Sequence, residues 1–575
     1  MDSTPHRFGE AQAWTVENTR ERWTDLLLLL GVAGLFLGAV QVGREWVGEH
    51  RTAVEIDLSP WRLPEYAFFS LSRGLIAYGM SLVFTLAYGW WAAKDQLAAR
   101  VLIPLLDILQ SIPVLGFMPG LMLAFVALFP DSNIGLELVS IIMIFTGQVW
   151  NMTFSFYHSL RSIPSDLQEV ARVYRFTPWQ RFKWLELPFS MIGLVWNSMM
   201  SMAGGWFFLM ISEAFRLGEQ DFRLPGLGSY MSVAVEKGDV LAMCYAIAAM
   251  ILMILAVDQL LWRPIVVWAE KFRVEEGGAA EAQHSWFLTW LRRSSLVAGL
   301  LSLGKLLPRR QRTHGLVPQP AVARRPVPGW LRTLPLLGLI VLLLWGAMQL
   351  LELLKGVSWS EWLELAGVAM LTLSRVLMAV TIGTLWTVPV GLAIGLSPRW
   401  SRRLQPVVQV VASFPAPMLF PLVLAGLETL GVSLSWGAIV LMMLGTQWYL
   451  LFNVMAGAMA IPADLREMAT SYRIRGWQRF TTLYLPAIFP YLVTGWVTAA
   501  GGAWNASIVS EFITFHGETL RTAGVGAEIT AAAESANMPR LAAGVLVMSL
   551  VVVTFNRLVW QRCYQVAERR FSLSK

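Results

Sequence analysis

The residues of this 575-residue chain that could take part in chemistry are charged side chains inside long apolar segments. Glu213 and Glu511 each end an apolar stretch, and Arg73 and Arg375 lie within two others. A carboxylate inside a bilayer costs about 2.5–3.5 kcal/mol on insertion scales, so it usually faces protein or a water-filled path. Two interpretations stay open: a structural ion pair with Arg73 and Arg375, or the lining of a solute path.

Polar and aromatic residues next to these glutamates extend the candidate path. Ser212 and Ser510 directly precede the glutamates, and Trp206 and Trp504 lie two helical turns before them, with Asn505 beside the second tryptophan. Glycine pairs next to both tryptophans allow helices to approach closely. For the tryptophans, packing between helices is therefore the alternative to a role in the path.

The sequence contains no residue pattern typical of catalysis or metal binding. Its six histidines are scattered, and Cys244 and Cys563 are too far apart in sequence to suggest a ligand spacing. No phosphate-binding loop of the form G-x-x-x-x-G-K-[ST] occurs. We therefore expect no enzyme activity, no metal and no cofactor in this chain.

The composition predicts an all-α integral membrane protein. Hydrophobic residues make up 56% of the chain and charged residues only 14%, which is unusual for a soluble domain. Many apolar blocks approach or exceed the roughly 18 residues that indicate a membrane-spanning helix. We predict twelve spans: 24–43, 66–93, 101–129, 134–159, 189–214, 239–268, 331–354, 363–397, 404–429, 434–459, 487–513 and 539–561.

The distribution of Lys and Arg predicts the orientation. If the N-terminus is cytoplasmic, the cytoplasmic segments hold 34 of the 45 basic residues, as the positive-inside rule requires. This predicts a multi-pass membrane protein with both termini cytoplasmic. It also argues against a nucleic-acid partner, although the net charge is +7. The first apolar block lacks a cleavage-site pattern, so we interpret it as a retained anchor.

Two segments of the chain are near-copies of each other. Residues 163–188 and 461–486 are identical at 15 of 26 positions, with a constant offset of 298. Both begin with Ile-Pro, which is followed by an acidic residue suited to the first turn of a short helix. The shared positions of interest are Asp166/Asp464, Glu169/Glu467, Ala171/Ala469, Arg175/Arg473, Trp179/Trp477 and Pro188/Pro486.

The duplication extends over most of the chain. Six spans per half is an even number, so both halves enter the membrane in the same orientation and form a parallel repeat. We expect a cytoplasmic segment at 1–23, transmembrane domains at 24–269 and 331–562, a linker at 270–330 and a tail at 563–575. Within the linker, aromatic residues and leucines from Trp286 to Leu300 predict a helix in the membrane interface, and a plain tether is the alternative.

The paired segments resemble the cytoplasmic coupling loop of binding-protein-dependent ABC import permeases, written E-A-A-x-x-x-G-x9-I-x-L-P. The chain reads Glu169-Val-Ala171 through Leu185-Glu-Leu187-Pro188, and its second copy has the same spacing. The resemblance implies a type I importer fold in a fused, two-domain form. Arg175 and Arg473 replace the family's glycine, and we expect them to pair with an acidic groove of a partner.

The resemblance also implies partners and a substrate class. Two copies of an ABC ATPase, which bind ATP and Mg²⁺, would dock on the two loops, and a periplasmic or lipid-anchored solute-binding protein would deliver the solute. The third and fifth spans are most similar to the nitrate, sulfonate, taurine and bicarbonate branch, which suggests an oxyanion or organosulfonate. Two other classes remain: a secondary transporter driven by an ion gradient, and a membrane scaffold or lipid-handling complex.

Overall fold

The computed structural model describes residues 22–48, 54–217, 220–272, 285–297, 329–515 and 518–571. Within these residues, ten helices are long and apolar enough to cross a membrane, and the number rises to twelve if two bent helix pairs each count as one span. The protein is thus an all-α integral membrane protein, as predicted. Contacts divide it into two units, residues 1–44 with 256–342 and residues 45–255 with 343–575.

The two repeats contain the same elements in the same order. The first repeat has α1 (Arg22–Val47), α2 (Leu63–Lys94), α3 (Gln96–Ser111), α4 (Val114–Leu128), α5 (Ile134–Arg161), α6 (Ser165–Val173), α7 (Pro178–Glu213), β1 (Ala214–Leu217), β2 (Gln220–Arg223), α8 (Leu227–Glu236) and α9 (Val240–Phe272). A short helix, α10 (Trp286–Arg293), follows. The second repeat has α11 (Gly329–Leu354), α12 (Trp359–Leu396), α13 (Pro398–Ser413), α14 (Ala416–Thr429), α15 (Leu434–Met459), α16 (Ala463–Ser471), α17 (Gly476–Ser510), β3 (Phe512–Phe515), β4 (Glu518–Arg521), α18 (Val525–Glu534) and α19 (Met538–Ala567).

Close helix packing forms the centre of each repeat. Helix α5 packs against α2 and α7, and its equivalent α15 packs against α12 and α17. Small and hydroxyl-bearing side chains permit this approach, since apolar helices in lipid associate through packing and hydrogen bonds. The Oγ1 atoms of Thr85 on α2 and Thr153 on α5, for example, lie 3.0 Å apart.

The third span of each repeat, predicted at 101–129 and 404–429, consists of two helices with a sharp bend between them. Helices α3 and α4 are bent by 95° relative to each other, and α13 and α14 by 82°. Pro113 and Pro415 stand at the two breaks in extended conformation. Proline has no N–H to donate and disfavours helical backbone in the residue before it, so the helix ends there.

The segments after the fifth spans contain regular secondary structure. Each contains a two-stranded antiparallel hairpin, in which Ala214 pairs with Arg223 and Phe512 with Arg521. A ten-residue helix follows each hairpin. Four-residue strands are too short to give a clear period in the sequence. We refer to this end of the membrane domain as the hairpin end.

The smaller unit contains the described part of the linker. Ser285 caps α10 by accepting a hydrogen bond from the backbone N–H of Leu288 at 3.2 Å. The Asp25 carboxylate of α1 accepts a hydrogen bond from the Ser294 hydroxyl at 2.5 Å and another from the Ser295 hydroxyl. The helix is shorter than predicted, because it ends at Arg293. Leu300 and the linker ranges 273–284 and 298–328 lie outside the described residues.

Glycines at the starts of α8 and α18 allow these short helices to pack directly on the long helices before them. A Cβ atom at Gly228 would stand 2.6 Å from the carbonyl oxygen of Met210, and one at Gly526 would stand 2.5 Å from that of Ser507. Because backbone cannot move aside like the end of a flexible side chain, no larger residue fits these positions without displacing the helix.

We predict that Gly526→Ala lowers stability by about 1–3 kcal/mol, the usual cost of overpacking a well-packed site. Gly426→Ala is the matched control: a Cβ there meets nothing within 4 Å, and alanine is the better helix former by about 1 kcal/mol. Thermal unfolding of the detergent-solubilised chain measures both. Equal melting temperatures for the two variants would contradict the close packing.

Candidate functional site

Arg73, Glu137 and Glu213 form a buried ionic cluster in the first repeat. The Nε atom of Arg73 lies 2.6 Å from Oε2 of Glu137, and its Nη1 atom lies 2.8 Å from Oε1 of Glu213. The Ser70 hydroxyl and the backbone N–H of Gly228 also donate to the Glu213 carboxylate, at 2.6 and 2.7 Å. Both glutamates are 0% exposed. Hydrogen bonds and opposite charge compensate for the burial of these charged groups.

The second repeat has a related cluster with a different charge. Arg375 Nη1 lies 2.7 Å from Oε1 of Glu511, and the Thr372 hydroxyl takes the place of Ser70 at 2.9 Å. Ser435 stands at the position equivalent to Glu137, and the second guanidinium nitrogen donates instead to the Thr522 hydroxyl at 3.1 Å. The first cluster therefore holds two carboxylates for one guanidinium, and the second holds one.

The clusters fasten the hairpin end to the second span of each repeat. Arg73 also donates to the carbonyl oxygen of Pro225 at 2.9 Å, and Arg375 to that of Ala523 at 2.7 Å. Each arginine thus connects its own helix to the end of the fifth span and to the chain just after the hairpin. Both arginines form the ion pairs that the structural interpretation requires, and a role of these residues in the solute path stays a prediction.

A central cavity of about 140 Å³ lies between the two repeats. None of the residues that line it is charged, and neither Glu213 nor Glu511 is among them. Asn505 lines it, and its Oδ1 atom accepts a hydrogen bond from the backbone N–H of Val114, the first residue of α4, at 2.8 Å. This hydrogen bond joins the second repeat to the break in the third span of the first.

The other residues predicted for the path lie in helix packing. Trp206 and Trp504 are buried, and Trp206 packs against Gly74 of α2. Ser212 and Ser510 are buried too, and the hydroxyl of Ser212 lies 2.8 Å from that of Ser140. Their assignment to the path stays a prediction. Of the nine residues predicted for the path, Asn505 is the one that lines the central cavity.

Sequence reasoning missed three neutral polar residues of the central cavity: Gln110, Asn151 and Tyr449. They lack the charge that draws attention inside an apolar segment. Asn151 and Tyr449 occupy equivalent positions in the two repeats but are different residues. Because the repeats were recognised by their identical residues, positions at which the repeats differ gave no signal.

The paired segments fold into short helices at the end of the membrane domain opposite the hairpins. Pro164 directly precedes α6, and Pro462 directly precedes α16. Asp166 and Asp464 lie in the first turns, where a negative charge interacts favourably with the helix dipole. Both aspartates are exposed, as are Glu169 and Glu467.

A left-handed cap ends each of these helices. Arg175 and Arg473 have φ values of 50° and 53°, the conformation that glycine adopts most easily. The N–H of the following residue donates at 2.9 Å to the carbonyl oxygen of Ala171 in α6 and of Ala469 in α16, which is the Schellman arrangement. The turn that the family's glycine would form is therefore retained by an arginine.

Each segment exposes large aromatic side chains. Trp179 is 68% exposed and Trp477 is 76% exposed, and Tyr174 and Tyr472 are similarly accessible. Exposed aromatic residues beside charged ones are typical of protein–protein contact sites. The two segments present the same aspartate, glutamate, tyrosine, arginine and tryptophan to solvent, an arrangement suited to binding one kind of partner twice.

The segments connect to the spans differently in the two repeats. In the first, the buried Glu186 forms ion pairs with Arg181, at 2.9 Å, and with Lys94 at the end of α2. In the second, the guanidinium of Arg479 lies 5.3 Å from the ring centre of Tyr484, which replaces Glu186. Both connections pass through a π-helical turn, at 182–186 and 480–484, just before Pro188 and Pro486.

The architecture defines the class of protein. Two repeats of membrane-spanning helices enclose a cavity between them, and each repeat presents an exposed, capped helix at one end, so the chain is a duplicated membrane permease. The sequence model of the family described as "Binding-protein-dependent transport system inner membrane component" matches residues 86–261 and 387–571. These ranges together cover more than half of the chain, and the chain belongs to this family.

Three permeases of this family illustrate which members the chain is similar to. The chain is 26% identical over 188 residues to the nitrate import permease protein NrtB of Leptolyngbya laminosa, which covers 33% of this chain and 64% of that protein. It is 24% identical over 180 residues to the taurine transport system permease protein TauC of Escherichia coli (strain K12), covering 31% and 62%. The match to the putative aliphatic sulfonates transport permease protein SsuC of Bacillus subtilis (strain 168) is 24% over 188 residues, 33% of this chain and 64% of that protein. The matches thus span slightly less than two thirds of these relatives.

Removing one partner of a cluster tests its structural role. We predict that Glu511→Gln destabilises the protein by about 3–5 kcal/mol, because it leaves the Arg375 charge buried without its counterion. Glu428→Gln is the control, since Glu428 is exposed. Thermal unfolding in detergent measures the difference. Unchanged stability together with altered solute selectivity would instead place Glu511 in the path.

Substitution of Arg473 tests the left-handed cap. A β-branched residue is strongly disfavoured at positive φ, so we predict that Arg473→Val increases amide hydrogen exchange at Ile474, whose N–H closes the cap. Arg473→Gly should maintain or increase protection, because a non-glycine residue in this conformation costs about 1–2 kcal/mol. The same exchange rate in both variants would show that the cap is absent in solution.

Proposed function

We propose that this chain is the transmembrane subunit of an ATP-driven importer that receives its solute from a solute-binding protein. The observation that carries the proposal is the pair of exposed helices α6 and α16, with the same charged and aromatic residues and the same cap. A secondary transporter has no use for two matched docking helices. Membership of the binding-protein-dependent family supports the same mechanism.

The partner at the paired segments is an ABC ATPase in two copies. One ATPase protein fits both segments because their exposed residues agree at the positions most suited to recognition. ATP and Mg²⁺ bind to that partner, which carries out the hydrolysis. Arg175 and Arg473 pair with acidic residues of its groove, where a guanidinium forms charge-assisted hydrogen bonds.

Closure of the ATPase pair on ATP moves the two segments, and the connections described above transmit the motion. In the first repeat, Glu186 couples the segment to α2 through Lys94. In both repeats the segment continues through a π-helical turn into the fifth span, which lines the central cavity. The repeats then rock about this cavity and expose it alternately to the two sides.

Solute enters at the hairpin end. A cavity of about 320 Å³ lies there between the repeats, lined by residues of α7, α8, α17 and α18 among others. We place this end in the periplasm and the paired segments in the cytoplasm, on the distribution of Lys and Arg. The solute-binding protein docks on the hairpins and on α8 and α18, and both termini are cytoplasmic in a bacterial inner membrane.

The relatives limit the solute. Their names specify nitrate, aliphatic sulfonates, taurine and, for a further relative, bicarbonate. We propose a small oxyanion or an organosulfonate, with selectivity shared between the solute-binding protein and the cavities of this chain.

Charge reversal at the paired segments tests the proposal. We predict that the detergent-solubilised chain co-purifies two copies of an ABC ATPase and that Glu169→Arg/Glu467→Arg abolishes this, because it changes the total charge of the docking surfaces by four units. Glu55→Arg/Glu428→Arg makes the same charge change at exposed residues outside the paired segments and should bind normally. If the unaltered chain binds no ATPase under any nucleotide condition, a secondary transporter driven by an ion gradient takes the place of this proposal.

A further inference from the structure

A second cavity adjoins the central one and differs from it in chemistry. We call it the aromatic cavity; its volume is about 340 Å³, and it lies between α7 of the first repeat and α13 and α15 of the second. Its lining includes Trp196, Trp448, Tyr449 and Phe452 and several methionines, and none of its lining residues is charged. A cavity of this size with few polar groups is typical of a binding site for an organic molecule.

The two cavities are adjacent and share part of their lining. Ala203, Ala412, Gly445 and Tyr449 line both of them. Tyr449 therefore stands at the junction, with its ring beside the aromatic cavity and beside the central one. A molecule bound here would occupy both spaces at once, with one part in each.

Neutral polar groups without partners line the central cavity. The Tyr449 hydroxyl and the side-chain amides of Gln110 and Asn151 make no hydrogen bond within the part of the chain that the structure describes. All three side chains are partly exposed, and each of them lines the cavity. A ligand that offers hydrogen-bond acceptors or donors could form hydrogen bonds with these three side chains. The cavity would then recognise the ligand by its shape and its hydrogen bonds rather than by its charge.

The lining is not symmetric, although the repeats are related. Tyr449 corresponds to Asn151, Trp196 to Thr494 and Gln409 to Asp107. The cavity residues at these three positions have thus diverged between the repeats, whereas Asp166, Glu169, Tyr174, Arg175 and Trp179 of the first paired segment are identical in the second. A small symmetric ion would need no such difference, but a molecule with two unlike ends would.

The charge of the lining sets a limit on the solute. An inorganic anion that leaves water requires positive charge or several donors around its whole surface, because its desolvation is costly. The aromatic cavity has no positive charge, and among its polar side chains Ser413 and Asn453 already donate to backbone carbonyl oxygens. An apolar group, in contrast, gains free energy by leaving water for such a cavity.

We propose that the solute is an organic molecule with an apolar body and one small polar head. The body occupies the aromatic cavity against Trp196, Trp448 and Phe452, and the head accepts hydrogen bonds from Gln110, Asn151 and Tyr449 in the central cavity. This inference rests on the proposed importer function and narrows its substrate class. Organosulfonates with an apolar body fit the site, and nitrate and bicarbonate do not.

Binding of simple probes to the full chain in lipid nanodiscs tests the inference without the ATPase. The probes are benzenesulfonate, benzoate and benzamide, which share a body, and methanesulfonate, nitrate and bicarbonate, which lack one. We expect quenching of tryptophan fluorescence and a rise in melting temperature with the aromatic probes, at least tenfold tighter than with nitrate. The order among the three aromatic probes identifies the head group that the amides and the hydroxyl prefer.

Two substitutions locate the bound probe. Ala456→Trp fills the aromatic cavity and should abolish binding of the aromatic probes. Ala393→Trp is the matched control, because Ala393 is exposed and is not among the lining residues of either cavity. Tyr449→Phe keeps the ring and removes the hydroxyl, and should weaken binding about five- to tenfold through loss of one hydrogen bond.

Nitrate or bicarbonate binding as tightly as benzenesulfonate would overturn the inference, and so would binding that survives Ala456→Trp. Its failure is distinguishable from failure of the importer proposal. If the chain binds the ATPase but prefers inorganic anions, the importer proposal stands and the proposed substrate class is wrong. If the chain binds aromatic probes but no ATPase, the proposed binding site stands and the ATP-driven mechanism is wrong.

Discussion

The requirement that a bilayer imposes on charged groups underlies this structure. Lipid offers no hydrogen bonds, so every buried charge needs partners within the protein. Arg73 and Arg375 meet this requirement by joining a glutamate at the end of the fifth span and a carbonyl oxygen beyond the hairpin. The same contacts hold the hairpin, the short helix after it and the second span together. The clusters thus compensate the buried charges and also hold the hairpin end to the second span of each repeat.

With these charges taken up in the clusters, the central cavity and the aromatic cavity between the repeats are lined by neutral side chains. Hydrogen-bonding groups and aromatic rings are therefore the groups that these two cavities present. The division has a mechanical consequence, since residues that stabilise each repeat are separate from residues that line the cavities. The repeats can move relative to each other during transport without breaking an ion pair of the two clusters.

The paired segments show how a turn can be preserved when its usual residue is lost. Arginine at positions 175 and 473 adopts the left-handed conformation despite its Cβ atom, and the cap hydrogen bonds to Ala171 and Ala469 are intact. The strain is offset where two backbone hydrogen bonds close the helix and a buried alanine lies beneath them. Each turn thereby gains an exposed guanidinium that glycine could not provide.

The sequence by itself determined the membrane class, the duplication and the two segments, because these depend on apolar length and repeated residues. It offered the pairing of Arg73 and Arg375 with the glutamates as one of two interpretations, because a buried charge is costly. The sequence did not show how sharply the third spans bend at Pro113 and Pro415. It also did not predict the two hairpins or the positive φ of Arg175. Only the tertiary structure decided which polar residues meet between the repeats. Gln110, Asn151 and Tyr449 lie far apart in the chain and carry no charge, so their convergence depends on how helices of both repeats pack around one cavity.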